Sequence, residues 1–444
     1  MSELSSAVDR DFDRIRQALE RLVRVPSVSA ADSDPAPLRD AAELTAALLA
    51  EAGLQRVELW EIAGAPPYVF GERAGPAGAP VVLLYAHYDV QPAGDEASWT
   101  SPPFSPQQRG DRLYGRGASD DKAGIATHLG AIRALGARPP VSLKVLVEGE
   151  EEIGSPHLDD FLAAYRDRLE ADAVVVADSQ NWRVGEPALT TSLRGIIDCT
   201  VEVRMLAAGV HSGLFGGPVP DALTALARLL ATLHERDGST AVEGLTTGPA
   251  PRVEVTEAAI RRQAGVGTGV ELLGTGSMAQ RLWMSPAISV LGVDAPRTAD
   301  AVNQLVPSAA AKISVRLAPG DDPARAMGAL RRHLESRAPW GAEVMITEGA
   351  RAAPFLLETT GPAYAAFRRG LAGAWGRTPV EVGIGGSIPL VAELAASYPE
   401  AELLLTGVGD PGSAVHGPDE SQDLGELRRA IVAEATALSL LGAG

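Results

Sequence analysis

The sequence predicts an α/β protein: a mixed, mostly parallel sheet sandwiched by helices, with a smaller α+β domain inserted in it. Two observations predict the sheet. Four apolar runs of strand length occur at 81–86, 142–147, 173–177 and 403–405. Helical stretches at 122–136 and 156–168 separate the first run from the second and the second from the third. Near-continuous apolar strands alternating with helices are the pattern of a sheet covered on both faces. A third observation predicts the insertion: residues 195–205, 311–317 and 342–347 alternate apolar and polar side chains, as half-exposed antiparallel strands do.

The remaining elements follow in order. Phe12, Ile15, Leu19, Leu22 and Val23 recur at helical spacing over 8–24, and a second helix spans 37–53, ending at Gly53. Helices near 219–235 and 322–337 alternate with the three middle strands, giving a strand, helix, strand, helix, strand order. The stretch 237–285 is rich in Gly and Thr and has no assignable pattern. The expected division is 1–193 and 354–444 for the larger domain and 194–353 for the insertion. There is no internal repeat.

Composition narrows the function. The chain has 444 residues, more than one ordinary core accommodates. Its formal charge of −18 argues against nucleic acid or an anionic membrane as partner and suits cation binding. Cys199 is the single cysteine, so any metal must sit on histidines and carboxylates, and no intrachain disulfide forms. The charged, amphipathic first 22 residues lack the apolar core of a signal peptide, and no apolar run reaches the roughly 20 residues of a membrane span. The expectation is a cytoplasmic protein.

Each of the four apolar runs leads into acids or histidine: His87 and Asp89 after the first, Glu148 and Glu150–Glu152 after the second, Asp178 after the third, His416 after the fourth. Ligands of open α/β sheets bind at the carboxyl ends of strands. Asp120 and Asp121 add a glycine-flanked turn before a helix. Taken singly, each group has an ordinary reading: a capped strand, a solvated acidic turn, a helix cap. Together they have the chemistry of a two-metal hydrolytic site, in which ions roughly 3.5–4 Å apart share a carboxylate and a water. One of two adjacent glutamates would then ligate while its neighbour takes the water's proton and passes it to the leaving nitrogen. His128, His157, His234 and His333 lie in helix-like or linker stretches and read as structural.

The segments YAHYDVQP (85–92), Trp99 with SPPFSP, LYGRGASDDKAG (113–124), EGEEEIGS (148–155), VVADS (175–179), GVHSGLFGG (209–217), GGSIPL (385–390) and VHGPDE (415–420) resemble, in order, the di-zinc peptidases. That family includes carnosinases, bacterial dipeptidases, glutamate carboxypeptidases, aminoacylases and succinyl-diaminopimelate desuccinylases; the resemblance is greatest to the carnosinase-like dipeptidases. It implies two zinc ions per subunit, with manganese or cobalt as alternatives. His87 and Asp178 would ligate one ion, Glu152 and His416 the other, and Asp120 both, with a cis peptide after it. Asp89 would orient His87, and Glu151 would be the general base. The inserted domain would be a ferredoxin-like lid through which the chain forms a homodimer. Its His211 would stabilise the oxyanion, from the same or the partner subunit. Arg316 would hold a substrate carboxylate, with Asn303, Gly386 and Ser387 as further substrate contacts.

The implied reaction is hydrolysis of the amide of a dipeptide or small peptide with a free C-terminal carboxylate; the alternative is deacylation of an N-acyl amino acid. The chain departs from the pattern at Gly383 and Ile384, where many members carry Arg and Glu, and at Gly209 and Val210, where Asp and Leu are common. A metal-binding scaffold would lack Glu151 or a ligand, and none is missing. A nucleotide enzyme would carry a phosphate-binding glycine motif, and neither GxxxxGK[ST] nor GxGxxG occurs between a strand and a helix.

Overall fold

Residues 3–251, 253–385 and 389–443 are described in the structure, a computed structural model. The chain divides into two compact units, one made of 1–191, 357–382 and 388–444, the other of 192–356 and 383–387.

In the first unit the four apolar runs become neighbours. Its sheet runs in the order Arg56–Trp60, Tyr68–Arg73, Ser142–Glu148, Val81–His87, Ala173–Val176, Glu402–Leu405, Ala188–Leu193. The middle four are mutually parallel, so their carboxyl ends share one edge. The flanking pairings are antiparallel, which makes the sheet mixed. Glu402–Leu405, last in sequence among these, lies between Ala173–Val176 and Ala188–Leu193.

Both faces are covered, which is why the strands read as continuous apolar runs. Val82, Leu84 and Ala86 pack in one core with Leu19 and Leu22 of helix Glu3–Val23, Ile125 and Leu129 of helix Lys122–Ala134, and Leu427 and Ile431 of helix Leu424–Leu441. Leu83 and Tyr85 point to the opposite face and are also fully buried. There Tyr68 stacks on Phe161 of helix Leu158–Leu169 at 3.9 Å between ring centroids.

The second unit is a four-stranded antiparallel sheet, ordered Ala287–Asp294, Ser308–Leu317, Gly195–Arg204, Glu343–Ala352. Helices Ala222–Ala231 and Pro323–Ser336 cover the face formed by Ile197, Cys199, Val201 and Val203. The chain order is strand, helix, strand, strand, helix, strand, one strand more than the alternation predicts. The additional strand, Ala287–Asp294, is an edge strand whose register breaks between Val290 and Gly292. Ile288 is buried, but from Ser289 onward every residue is exposed, Val290, Leu291 and Val293 included, so no period-two pattern arises. Among the described residues no helix is long and apolar enough to cross a membrane.

Candidate metal centre

Strand ends and the turns after them gather the polar residues in the first unit. His87 is the last residue of its strand and is fully buried. Its Nε2 lies 3.1 Å from Asp120 Oδ1 and 4.0 Å from Asp178 Oδ1. His416 approaches the same aspartate from the other side, with Nε2 3.0 Å from Asp120 Oδ2 and 3.1 Å from Glu152 Oε2. The two oxygens of Asp120 thus face different histidines. Donor atoms of His87, Glu151 and Asp178 lie within 4.8 Å of one another, as do those of Asp120, Glu152 and His416.

Local structure aims each group. A cis peptide joins Asp120 to Asp121, and helix Lys122–Ala134 begins directly after it. Asp121 turns away from the cluster and accepts the His87 backbone N–H at 3.2 Å. Glu151–Ile153 forms a single 3-10 turn, closed by Gly154 at φ 84°. Asp89 holds two elements at once. Its Oδ1 lies 3.3 Å from His87 Nδ1, and its carboxylate accepts the backbone N–H groups of Glu151 at 3.2 Å and Glu152 at 3.1 Å.

The turn also separates the four glutamates. Glu150 accepts from the Tyr68 hydroxyl at 2.9 Å and sits 2.8 Å from His157 Nδ1. Glu148 accepts from the hydroxyls of Tyr85 and Ser155, each at 2.8 Å. Only Glu151 and Glu152 remain for the cluster.

The donor set fits cations. Five carboxylates (Asp89, Asp120, Glu151, Glu152 and Asp178) surround two imidazoles, which leaves excess negative charge even with both rings protonated. Burial of unbalanced carboxylates is costly unless a positive group joins them. The titrations express that imbalance. Burial pushes Glu151 up to about 7, partly offset by His87. Burial and the neighbouring Asp120 push Asp178 well above the usual carboxylate range. Burial alone would lower His87, but its hydrogen bonds to Asp120 and Asp89 hold it well above the ordinary imidazole value. Hydrogen bonds to Asp120 and Glu152 raise His416 to about 10. Burial acts to raise Asp120, and the hydrogen bonds with both histidines outweigh it and lower it.

The other histidines are engaged elsewhere. His128 bridges Glu434 at 2.9 Å and the Tyr85 carbonyl at 3.0 Å, His333 meets Thr232 at 3.0 Å, and His234 meets the Ile288 carbonyl at 3.3 Å.

The remaining candidates belong to the second unit or fall outside the description. His211 is exposed, and its Nδ1 accepts the Gly213 N–H at 3.0 Å, which leaves Nε2 as the protonated donor of the neutral ring. The exposed Asn303 lies beside it, its carbonyl accepting the Ser212 N–H at 3.0 Å. Arg316 has no hydrogen bond or ion pair among the described residues. Its register partner is Ile196, which places it diagonal to Arg194 on the sheet face away from the helices. Arg194 donates to the Ser285 carbonyl at 3.2 Å and has a buried Nε with no partner. Gly386 and Ser387 lie outside the described residues. At Gly383, a Cβ would stand 2.6 Å from both Ser192 Oγ and Trp283 Cβ, so close packing excludes any side chain there.

Sequence reasoning missed Arg194, Arg116 and Glu420. Arginine in a turn and glutamate after a ligand motif carry no spacing signal of their own.

Comparison with known proteins completes the picture. The model of peptidase family M20/M25/M40 matches residues 83–439. A cysteinylglycine-S-conjugate dipeptidase of Corynebacterium striatum is 36% identical over 437 residues, covering 97% of this chain and 96% of that protein. The Beta-Ala-His dipeptidase of Rattus norvegicus is 27% identical over 376 residues, covering 80% and 76%. Among solved structures, the di-peptidase Dug1p of Saccharomyces cerevisiae superposes with a TM-score of 0.82 at 21% identity, covering 100% of this chain and 98% of that one. Human carnosine dipeptidase 1 gives 0.82 at 23%, covering 99% and 98%. The family match spans every clustered residue from His87 to His416, and the chain is accordingly a metallopeptidase belonging to peptidase family M20/M25/M40.

Proposed function

We propose that this protein is a dipeptidase that hydrolyses the amide of a small peptide with a free C-terminal carboxylate, using two zinc ions. The observation that carries the reading is Asp120, whose two oxygens each face a different histidine, as a carboxylate shared by two cations requires. His87, Asp120 and Asp178 would hold one ion; Asp120, Glu152 and His416 would hold the other. Bound there, the ions would supply Lewis acidity for the scissile carbonyl and for the attacking water.

The chain's own groups do the rest. Asp89 keeps the His87 ring oriented and fixes the backbone of the Glu151–Glu152 turn. Glu151 takes the proton of the attacking water and delivers it to the leaving nitrogen. Its place in the turn that Asp89 fixes supports this, because a general base must be held within reach of the proton it takes. His211 presents Nε2–H, a donor suited to a developing oxyanion. Arg316 pairs with the substrate's carboxylate; its lack of an acidic partner among the described residues and the adjacent Arg194 support that assignment. The dipeptide class is supported by the relatives, whose names specify cysteinylglycine conjugates and Beta-Ala-His. A homodimer through the second unit is supported by the apolar exposed edge strand Ala287–Asp294.

The test is a substrate panel on protein stripped with chelator and reloaded with zinc, manganese or cobalt. The reading expects dipeptides to be cleaved, activity to vanish on stripping and return on reloading, and C-terminally amidated dipeptides to be poor substrates. Preferential cleavage of N-acyl amino acids would overturn the substrate assignment, and full activity after complete stripping would overturn the chemistry.

A further inference from the structure

The His416 loop departs from comfortable backbone geometry. Ala414, His416 and Asp419 all have left-handed φ angles, of 51°, 61° and 56°. Non-glycine residues keep that conformation only where surrounding contacts over-determine it. No strand or helix holds His416; beside the backbone bonds from Gly417 to Ala414 and from Ser421 to Ser413, its support comes from side chains.

Arg116 and Glu420 supply it. Both are buried, with 1% and 0% of their surface exposed. Arg116 Nη1 donates to Glu420 Oε2 at 2.6 Å. Glu420 Oε2 also accepts the Gly117 N–H at 3.0 Å, while its Oε1 accepts the N–H groups of Ser119 at 3.0 Å and Asp120 at 3.1 Å. On the other side, Arg116 Nη2 donates to the carbonyl of His416 at 3.1 Å and of Pro92 at 3.3 Å. One ion pair therefore ties the backbone of Asp120 to the backbone of His416. Neither of its side chains contacts the donor atoms of the cluster.

A stabilising role does not by itself account for such a pair. A buried, hydrogen-bonded ion pair is often no more stabilising than apolar side chains of equal volume. What apolar groups could not do is accept three converging N–H groups on one carboxylate and grip a carbonyl across the gap. Groups that fix ligand geometry from behind are worth about tenfold to a hundredfold in metal affinity.

We infer that the Arg116–Glu420 pair is a positioning element that sets the spacing of Asp120 and His416 and thereby the affinity of the cation position they share with Glu152. The inference rests on the two-cation reading above. It predicts that damage to the pair weakens the ion held with His416 more than the ion held with His87, although Asp120 serves both.

The experiment titrates the full-length, metal-free protein with zinc against a chromophoric chelator, and with cobalt followed by visible absorption. Wild type, E420Q and R116K are compared, with thermal midpoints measured alongside. An amide at 420 offers one acceptor oxygen to three N–H donors and cannot pair with Arg116. Lysine at 116 keeps the charge but cannot reach Glu420 and the two carbonyls together. Wild type should bind two ions. E420Q should bind the first ion with the smaller loss and the second about tenfold to a hundredfold more weakly, with altered absorption of the second cobalt equivalent. R116K should show the same selective loss, smaller in size.

If both variants bind two ions with wild-type affinity and only the thermal midpoint falls, the pair is merely structural and the inference fails. If E420Q does not fold, R116K decides between those outcomes. A wild-type protein that binds a single ion overturns the two-cation reading, and the inference with it.

Discussion

His87 ends a central strand and is wholly buried, whereas His416 lies in a left-handed loop with 52% of its side chain exposed. The sheet delivers the first histidine: the strand sets its direction, Asp121 takes its N–H, and Asp89 takes its ring nitrogen. The second has no such frame and depends on side chains reaching across from other loops. The contrast separates precision that comes with secondary structure from precision that must be built by charged side chains. It also predicts where the centre is robust and where it is fragile.

The largest effect should come from a group that belongs to the buried half but binds no structure of its own. Glu151→Gln is expected to lower kcat by about 10²–10⁴-fold while metal content stays at the wild-type value. Normal turnover in that variant would move the proton-transfer role elsewhere.

Asp89→Asn tests whether the buried half is organised from behind. Asparagine has one acceptor oxygen where Asp89 serves His87 and two backbone N–H groups. Metal affinity should fall about tenfold to a hundredfold. Unchanged affinity would mean that the strand alone suffices.

Thermal unfolding of metal-free variants compares the halves directly. His87→Ala leaves buried Asp89 without a ring partner, a loss of about 1–3 kcal/mol. His416→Ala removes the cation beside Asp120 and Glu152, and should cost less because solvent screens a half-exposed ring. Equal losses would erase the distinction.

The exposed half should contribute to the pH dependence as well. His416 is raised to about 10 in the cation-free chain, so at neutral pH it is protonated and must shed that proton before it can ligate. Metal affinity should therefore rise with pH towards about 10 and fall below it, with proton release measurable by calorimetry in buffers of different ionisation enthalpy. His416→Ala should reduce the release.

The smallest effect concerns a lysine beneath the Asp120 turn. Lys122 is fully buried and donates to the carbonyls of Leu22 at 3.0 Å and Val25 at 2.8 Å. Burial lowers it to about 7 from 10.5. Its contribution to stability is therefore present above about 10.5 and is lost as pH falls through about 7. Lys122→Met should flatten the metal-free stability profile across that window.

The buried half was also the more legible in sequence. Runs such as 81–86 announce a strand covered on both faces, and a histidine at the end of one has few other places to go. Asp120 and His416 were visible as a glycine-flanked turn and a residue beyond a strand, but only the ordered resemblance gave them roles, because turn residues have no periodicity. Choosing Glu151 and Glu152 from four nearby glutamates likewise needed the resemblance; in the structure Tyr68 and His157 engage Glu150, and Tyr85 and Ser155 engage Glu148. The edge strand Ala287–Asp294 was illegible because only Ile288 of it is buried and the rest is exposed on both faces. Arg116 and Glu420 were illegible because their meaning lies in contacts some 300 positions apart in the chain.

The strand order has a consequence for synthesis. Glu402–Leu405 fills a slot between two strands made long before it, with the whole second unit emerging from the ribosome in between. At roughly 5–20 residues per second, the nascent chain spends tens of seconds with Ala173–Val176 lacking its neighbour on that side. Its open apolar edge needs shielding for that interval. Over the same time His416 does not yet exist, so the candidate metal cluster of a growing chain lacks its last histidine. Ribosome-bound chains halted before residue 402 should be cleaved by added protease near 173–193, and released full-length chains should resist.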